Sequence, residues 1–439
     1  MFNIIKWINV LNSSTVVVDI AAIINIVMMG IVSIFYFTQN LFTIIALFGK
    51  QKKYPEAKVK HKFAYFICAH NEEAVIGNLI ESIKNQDYPK ELIEIFVVCD
   101  NCDDKTSLIA KELGCFVIER NDTSKIGKCY ALDYGLKTIM KEYDYLNIEA
   151  FLVFDADNLV AKDFTKHMND TFDSGYEVST SFRNSKNFDA NWLSAGAGMI
   201  FLRECLVIHQ CRSILNIGTY VSGTGFYVSY DLVKRMNGWP FDALIEDIEF
   251  SIYCANNNIK IGYNNDAMIY DEQPATLKDS FNQRMRWCRG NHQCFFRHGF
   301  KLLINTFRKK NLSCIEMFSH TAPIPAFAFM WTVIYTIILV VNALINQYTF
   351  TQFIDSGFMG LVFYYIILFG IAFVYGAVSI ILSYKKLNCK KSKLFVIWLQ
   401  YPFVMFLLLL VTVITLFVKV EWKKIDHSDN KNIDELEGV

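Results

Sequence analysis

The sequence has no excess of charge of either sign. Its 439 residues include 43 Lys and Arg against 43 Asp and Glu, so the formal net charge at pH 7 is zero. Proteins that bind nucleic acid through its phosphates usually carry a basic excess, and this chain does not. The charge therefore gives no indication of nucleic-acid binding. The lysines are instead concentrated beside apolar runs, which is typical of proteins sorted by a bilayer.

Two further absences narrow the class of protein. No short charged region with a small-residue cleavage site accompanies the first apolar run, so we expect that run to remain as an anchor. Cys99 and Cys102 form a C-x-x-C pair, but no second pair and no nearby His completes a zinc site. The 12 cysteines are scattered, and we interpret them as reduced, buried thiols of a cytosolic domain.

Apolar residues are abundant. The chain is 53% hydrophobic and 15% aromatic, which is too apolar for a wholly soluble protein. A helix needs about 20 apolar residues to cross the hydrocarbon core. Four segments are long enough, at residues 16–48, 322–345, 358–383 and 394–418. We interpret the first as one long, tilted helix because no turn chemistry divides it.

The lysines also predict an orientation in the membrane. Three lysines lie at residues 50–53 and only Lys6 precedes the first segment, so the positive-inside rule places the middle of the chain in the cytosol. Counting four spans then places the C-terminal tail outside. Three lysines among residues 419–424 favour the inside instead. Either one segment is re-entrant, or the charge rule fails at the tail.

Between the first two apolar segments, short apolar runs alternate with amphipathic helices. We predict buried parallel strands at residues 63–68, 93–99, 115–118 and 150–154, with helices at 73–84, 105–113 and 128–140. This alternation predicts a doubly wound α/β sheet, in which ligands bind beyond the carboxyl ends of the strands. The acidic and Gly-containing motifs of the chain fall at those ends.

The run FLVFDADN is an apolar strand that ends in two carboxylates, Asp155 and Asp157. Strand alternation predicts that both point to the same side. Burial of a carboxylate without a partner is costly, so the strand should end at a polar or metal-filled space. Mg²⁺ or Mn²⁺, held by oxygen ligands, is the expected occupant. A surface Asx turn is the competing interpretation.

A donor-rich run, Q-R-x-R-W, lies further along the chain and comprises Gln283, Arg284, Arg286 and Trp287. Guanidinium groups suit phosphate oxygens, and the face of a Trp suits the C–H face of a sugar ring. The competing interpretation is an interfacial helix with snorkelling arginines and an anchoring Trp.

The motifs occur in the order D-x-D, E-D at Glu246 and Asp247, and Q-R-x-R-W, and apolar segments follow them. With the motifs in this order, the chain resembles a known family. It is similar to the membrane-embedded, processive family-2 glycosyltransferases of the cellulose, chitin and hyaluronan synthase type, including poly-N-acetylglucosamine synthases. The motifs match over residues 63–293. The resemblance implies a cytosolic GT-A domain, a Rossmann-like nucleotide-diphospho-sugar transferase fold, inserted between transmembrane helices.

The expected organisation has five parts. These are an anchor at residues 1–53, the GT-A domain at 54–275, amphipathic interface helices at 276–320, transmembrane helices at 321–420 and a polar tail at 421–439. In the family, a tryptophan-bearing cytosolic stretch after the late helices acts as a gating element. Trp422 is the only candidate for it here, and its surroundings do not match that motif letter by letter.

The resemblance also implies roles for individual residues. Asp247 would be the general base and Glu246 would orient the acceptor. The donor nucleotide-sugar would contact Glu72, Asp100, Lys128, Asp155, Gln283, Arg284 and Arg286, the metal would bind Asp155 and Asp157, and the acceptor would contact Trp287, Gly223 and Thr224.

Several of these residues have structural alternatives. For Gly223 and Thr224, which lie in VSGTGFYVS, the alternative is a Gly-containing turn into a strand. Asp104 matches the family pattern with Asp100, but it can equally cap the following helix. Glu246 and Asp247 would gain from a helix dipole in any case. Ile245 stands where the family usually has Thr.

The implied activity is that of an inverting, UDP-sugar-dependent hexosyltransferase in the cell membrane, extending a β-linked polysaccharide on the cytosolic side with coupled export. Its partners would be the UDP-sugar, a polysaccharide or lipid-linked acceptor, the bilayer and, as a further option, accessory export subunits. The nearest alternative is a non-processive transferase that adds one sugar to a lipid-linked acceptor, and Q-R-x-R-W argues against it. The intact carboxylates argue against an inactive scaffolding subunit, and the small number of spans argues against a transporter.

Overall fold

A mixed β-sheet forms the centre of the α/β domain. The computed structural model describes residues 14–387, 389–421 and 429–437, so Trp422 lies outside the described residues. The strands are β1 Phe63–Ala69, β2 Ile93–Asp100, β3 Phe116–Arg120, β4 Ala150–Asp155, β5 Leu159–Val160, β6 Val178–Ser185, β7 Phe226–Ser229 and β8 Ile261–Asp271. Their order across the sheet is β3-β2-β1-β4-β7-β6-β8-β5.

The first four strands are parallel, as predicted. β1 lies between β2 and β4, with Phe63 opposite Ile93 on one side and opposite Ala150 on the other. The predicted strand and helix bounds agree with the structure to within a few residues. Beyond β4 the sheet is mixed, because β7 runs antiparallel to both β4 and β6. Hydrophobic periodicity does not predict the strand pairing of this second half.

The helices fall into those that pack on the sheet and those that leave it. They are α1 Ser14–Phe48, α2 Ile76–Lys84, α3 Thr106–Glu112, α4 Lys128–Glu142, α5 Phe164–Asp173, α6 Trp192–Arg203, α7 Gln210–Ile214, α8 Tyr230–Met236, α9 Glu246–Asn256, α10 Leu277–Arg308, α11 Leu312–Thr321, α12 Ile324–Ile345, α13 Phe350–Phe353, α14 Met359–Ser383, α15 Leu394–Phe417 and α16 Ile433–Glu437. π-helical turns at Glu204–His209 and Ile354–Phe358 join α6 to α7 and α13 to α14.

An apolar core lies on each face of the sheet. Side chains alternate along β1, so Phe66 packs with Leu136 of α4 on one face, while Tyr65 packs with Leu79 of α2 on the other. All four side chains are fully buried. Burial of each stabilises the domain by about 1.5–3 kcal/mol, and the two cores fix the strand ends at which the site is built.

Five described segments are long and apolar enough to cross a membrane. They are Val16–Phe48, Trp192–Ile214, Ile324–Ile345, Phe350–Ser383 and Lys391–Phe417. The first is a single helix within the described residues, as predicted. The segment Trp192–Ile214 was not predicted, and 78% of its most apolar window is buried inside the protein. It packs between the sheet domain and the other apolar helices, which explains its composition without a crossing.

The C-terminal tail lies against the sheet domain. Ile433 and Leu436 pack on Leu159 and Tyr270, and Lys162 pairs with Asp434 at 3.0 Å. Residues 429–437 are therefore on the same side of the molecule as the sheet. The sequence left two placements open for the tail, outside by the count of spans and inside by its lysines. This contact fits the placement that the lysines favour, on the same side as the middle of the chain.

Candidate active site

A single cavity of about 1350 Å³ extends from the carboxyl ends of β1, β2 and β4 down between α1, α12, α14 and α15. Most of the residues to which the sequence assigned roles line it. These are Glu72, Asp100, Lys128, Asp155, Asp157, Gly223, Glu246, Asp247, Gln283, Arg286 and Trp287. Arg284 and Thr224 do not line it.

The two carboxylates of the D-x-D motif reach the cavity in different ways. β4 ends at Asp155, and Asp157 lies in the turn that follows, so strand alternation does not explain their common side. Thr224 stands behind this turn, where its hydroxyl accepts a hydrogen bond from the Asp155 backbone N–H at 3.1 Å. Asn158 donates to Asp157 at 3.2 Å. Thr224 thus supports the motif from the buried side.

Lys128 begins α4 and points across the cavity. Its ammonium group donates to the Asp155 carboxylate and to the Gly223 carbonyl, the latter at 2.7 Å. Burial alone would lower the pKa of Lys128, but the carboxylates of Asp155 and Glu246 outweigh burial and hold that pKa above its usual value. The lysine is therefore a permanent cation at the start of a helix, where anionic groups bind favourably.

The acidic pair Glu246 and Asp247 forms the first turn of α9. Asp247 has a pKa raised to about 7, first because burial disfavours its charged form and then because Glu246 lies beside it. Burial also raises the pKa of Glu246, against the opposing charges of Lys128 and Arg286. A carboxyl group with a pKa near neutrality is suited to accept a proton at physiological pH.

Gly223 faces Asp247 from the opposite wall. Its φ of +84° is a conformation that residues with a side chain rarely adopt, and a Cβ here would lie 3.7 Å from the Asp247 carboxylate. Glycine thus keeps the space in front of Asp247 open.

The Q-R-x-R-W run lies on α10 and only part of it faces the cavity. Gln283, Arg286 and Trp287 are spaced so that they share one face of the helix. Arg286 donates to the Leu244 carbonyl at 3.0 Å, just before α9. Arg284 lies on another face, is 6% exposed and donates to the Ser280 carbonyl at 3.2 Å. Helical periodicity thus separates the two arginines.

Close packing holds α10 against the acidic pair. A Cβ on Gly290 would lie 2.6 Å from the Ile245 side chain, which immediately precedes Glu246. Only a glycine permits this approach. Ile245, which stands where the family usually has Thr, therefore contacts α10, the helix that carries Arg286 and Trp287.

The carboxyl ends of β1 and β2 form another part of the cavity wall. Asp100 is 6% exposed and accepts a hydrogen bond from Arg120 at 2.6 Å. Burial raises the pKa of Asp100, although Arg120 opposes the shift. Asp104 accepts hydrogen bonds from the backbone N–H groups of Thr106 at 2.9 Å and Glu73 at 3.1 Å, so it holds the start of α3 in place.

One buried ion pair in the cavity wall was missed by the sequence analysis. Arg183 of β6 bonds Asp271 at the end of β8, and Asn158 donates to the same Asp271 at 2.9 Å. Burial, with a further contribution from Asp157, raises the pKa of Asp271 to about 6. The run IYDEQP ends a strand in two acids, as FLVFDADN does, and the same reasoning applied to it would have found this residue.

Arg183 also connects the two ends of the site. Its guanidinium lies 3.8 Å from the centre of the Phe201 ring, and Phe201 packs edge-on against Trp287 at 5.6 Å. A continuous set of contacts therefore runs from the carboxylates near β4 to the tryptophan of α10.

The residues present fit a divalent cation that is completed by its ligand. Asp155 and Asp157 are hard oxygen donors, and Asp157 adds to the effect of burial in raising the pKa of Asp271, which a cation beside these carboxylates would oppose. No group of three or more Asp, Glu, His or Cys side chains in the described part of the chain could hold a metal ion by itself. Phosphate oxygens would have to supply the remaining ligands.

Residues 61–290, more than half of the chain, match the family described as "Glycosyltransferase like family 2". The chain belongs to this family. It is accordingly a glycosyltransferase with a GT-A-like fold, and it carries five described helical segments that are long and apolar enough to cross a membrane.

Several relatives are similar over long stretches. A probable glycosyltransferase of Bacillus subtilis, YdaM, is 26% identical over 82% of this chain and 83% of its own length. The poly-β-1,6-N-acetyl-D-glucosamine synthase of Staphylococcus epidermidis is 24% identical over 67% of this chain and 69% of that protein. The β-monoglucosyldiacylglycerol synthase of Synechocystis is 27% identical over 52% of this chain and 47% of that protein.

Among solved structures, a mannosyltransferase from Pyrobaculum calidifontis, PcManGT, in complex with GDP-Man and Mn²⁺, is similar in fold. Its TM-score is 0.56 at 15% identity, and the match covers 86% of this chain and 98% of that chain. At this identity the likeness shows the fold and does not identify the sugar.

Proposed function

We propose that this chain transfers a sugar from a UDP-sugar, with inversion at the anomeric carbon, to an acceptor hydroxyl at the cytosolic face of the cell membrane, extending a β-linked polysaccharide. The observation that carries the proposal is the position of Asp247. It lies in the same cavity as Lys128 and the D-x-D carboxylates, and that cavity continues between the apolar helices.

The donor would lie across the carboxyl ends of β1, β2 and β4. Glu72 and Asp100 would contact the uridine, as the family resemblance implies. Lys128, Gln283 and Arg286 would contact the diphosphate, because they bring ammonium, amide and guanidinium donors to the same cavity. A Mg²⁺ or Mn²⁺ ion at Asp155 and Asp157 would supply charge neutralisation for the departing UDP. Arg284, which faces away from the cavity, would position α10 instead of contacting the donor.

The acceptor would approach from the side of Gly223 and Trp287. Its hydroxyl oxygen forms a bond to the anomeric carbon while the bond from that carbon to the UDP oxygen breaks on the opposite face. UDP leaves with the electron pair of the broken bond, and Asp247 takes the hydroxyl proton. Glu246 orients the acceptor, and Trp287 stacks on its sugar ring.

The proposal is tested by incubating purified protein with each UDP-sugar and either Mg²⁺ or Mn²⁺, followed by sizing and enzymatic digestion of the product. We expect one donor to yield UDP and a product that lengthens with time and is cut by a β-specific glycosidase. A product carrying one added sugar at every time point would contradict the extension of a polymer. An absence of UDP release with every donor would contradict the transferase activity itself.

A further inference from the structure

The Arg183 side chain of β6 contacts three separate parts of the proposed site. Its Nε donates to the Asp271 carboxylate at 2.8 Å, and a second nitrogen of the guanidinium donates to the same oxygen. The third nitrogen donates to the Ser222 carbonyl at 2.9 Å, immediately before Gly223. The face of the guanidinium lies on the Phe201 ring of α6. One side chain therefore joins three segments that are distant in the sequence.

An irregularity in the sheet directs this side chain. Strands β6 and β8 run parallel, but their register shifts between Ser181 and Phe182. Ser181 lies opposite Asn264 and Phe182 lies opposite Met268, so β8 carries extra residues at this step. Bulges of this kind bend a strand and re-aim its side chains, and they are common beside active sites. Arg183 follows the irregularity directly and lines the cavity.

Towards the D-x-D motif, the contacts of Arg183 continue through Asn158. The Asn158 side-chain amide donates to Asp157 at 3.2 Å and to Asp271 at 2.9 Å. Asn158 and Asp271 are both buried, and close packing leaves little room for either to move alone. Any shift of Asp157 on binding a cation would therefore be passed to Asp271, which holds two nitrogens of Arg183.

Towards the proposed acceptor, the contacts continue through Phe201. The centre of this buried ring lies 3.8 Å from the guanidinium carbon, and the Trp287 ring meets it edge-on at 5.6 Å. The hydrogen bond to Ser222 adds a second connection, because the next residue is the glycine that faces Asp247. Arg183 is therefore one contact away from the tryptophan and from the glycine in front of the base.

Stability alone does not explain the buried Arg183–Asp271 pair. Burial of two charges is costly, and replacement of a buried ion pair by apolar side chains is often neutral or stabilising. A lysine would keep the charge of Arg183. Its single ammonium group could not donate to both Asp271 and Ser222 while a flat cation covers the Phe201 ring. The complete set of contacts therefore requires a guanidinium.

We propose that Arg183 is a positioning residue that couples the metal–nucleotide site to the acceptor site, so that binding of UDP with its cation sets the position of Trp287. The inference rests on the donor and acceptor placements proposed above. Arg183 touches neither ligand in this account and acts through Asp271 on one side and Phe201 on the other. Coupling of binding sites is reciprocal, so an acceptor on Trp287 would also tighten the binding of UDP and its cation.

The surroundings of Trp287 can be followed by ¹⁹F NMR of the full chain labelled with 5-fluorotryptophan. Its resonance is assigned by its absence from Trp287→Phe, and the added ligand is UDP with Mg²⁺. We expect this resonance to shift in the wild type, and the shift to be lost in Arg183→Lys and in Phe201→Leu while both variants still bind UDP. A shift of wild-type size in Arg183→Lys would overturn the proposal. The absence of a shift in wild-type protein that binds UDP would also overturn it, whereas a wild type that binds no UDP would contradict the proposed donor site as well.

The effect of Mn²⁺ on UDP affinity separates the two sides of the connection. Calorimetric titrations should show that Mn²⁺ tightens UDP binding in the wild type. Arg183→Lys should reduce this tightening at least about fivefold, the lower end of usual coupling between sites. Phe201→Leu should keep it, since this variant changes only the side towards Trp287. Equal tightening in Arg183→Lys and the wild type would remove the arginine from the metal side of the site.

Arg203→Lys is the matched control for loss of a guanidinium. The Arg203 side chain also lies on a ring, that of Tyr375 at 4.8 Å, and donates to Gln39 at 2.6 Å, but these contacts lead to other helices. We expect this variant to keep both the Trp287 shift and the effect of Mn²⁺. Losses in Arg203→Lys as large as those in Arg183→Lys would overturn the proposal, since they would not depend on the contacts of Arg183.

Discussion

Lys128 donates a hydrogen bond to Asp155, the first carboxylate of the D-x-D motif, and this contact joins the start of α4 to the end of β4. The same ammonium group donates to the Gly223 carbonyl at 2.7 Å. It therefore connects the side of the cavity proposed to bind the donor with the side proposed to bind the acceptor. Without a ligand, the lysine neutralises a carboxylate that would otherwise repel Glu246. With a donor bound, the same cation is placed to meet a diphosphate.

Replacement of Lys128 by Met should therefore weaken donor binding. The loss of a charged hydrogen bond of about 1.5–3 kcal/mol corresponds to a ten- to hundredfold increase in the Kd for UDP. Calorimetric titration with UDP and Mn²⁺ measures this directly. Lys125→Met, in the exposed loop just before the helix, is the control and should bind UDP as the wild type does. An unchanged Kd in Lys128→Met would remove this lysine from the donor site.

Asp157→Asn should abolish metal-dependent transfer, because an amide is a much poorer ligand for Mg²⁺ or Mn²⁺ than a carboxylate. UDP binding should become nearly independent of added Mn²⁺ in this variant, whereas the wild type should bind UDP more tightly when Mn²⁺ is present. Titrations with and without the metal give both comparisons. Full wild-type activity in the presence of EDTA would contradict the metal site.

Asp247→Asn should preserve donor binding and lower kcat by at least about a hundredfold, the usual scale for loss of a general base. Asp242→Asn, which changes an exposed carboxylate just before the same helix, is the matched control. A parallel loss of UDP affinity and turnover in Asp247→Asn would make Asp247 a binding residue.

The pH dependence should follow from the same group. Because Asp247 must be ionised to accept a proton and its pKa is raised to about 7, kcat/KM should rise with pH through about 7 and then level off. Glu246→Gln removes the neighbouring negative charge, so the rise should move to lower pH. A pH profile of Glu246→Gln identical to that of the wild type would show that another group controls the rise.

Gly290→Ala tests the close contact between α10 and Ile245. A Cβ 2.6 Å from the isoleucine forces the helix or the acidic pair to move, and a small displacement of a general base lowers turnover strongly. We expect a loss of kcat that Ile245→Ala, added to the same protein, partly restores. Steady-state kinetics of both variants measure this, and failure of the second substitution to restore any activity would contradict the packing account.

Local sequence patterns predicted the first half of the fold because buried parallel strands and the helices between them have a recognisable hydrophobic periodicity. They gave β7 only as the alternative interpretation of VSGTGFYVS and did not predict its place in the sheet, because its four residues pair only with strands distant in sequence. Likewise, the apolar pattern of α15 does not indicate that Lys393, just before it, pairs with Asp189, or that Arg289 of α10 donates to the Thr415 carbonyl.

The same limit applies to the site. The resemblance to the family, carried by the order of the motifs, assigned Asp155, Asp157 and Asp247 to one site, and all three line the same cavity. It did not distinguish Arg284 from Arg286, because only the packing of α10 decides which face of the helix meets the cavity. The Arg183–Asp271 pair joins residues 88 positions apart, and neither residue indicates the other in the sequence.

The most direct test of the account is the anomeric configuration of the product, measured by ¹H NMR with wild-type protein and with Asp247→Asn. A donor with the sugar in the α configuration should give a product with β-anomeric coupling, formed by the wild type and nearly absent from the variant. A product that retains the α configuration, or one formed at the wild-type rate by Asp247→Asn, would contradict an inverting displacement with Asp247 as its base.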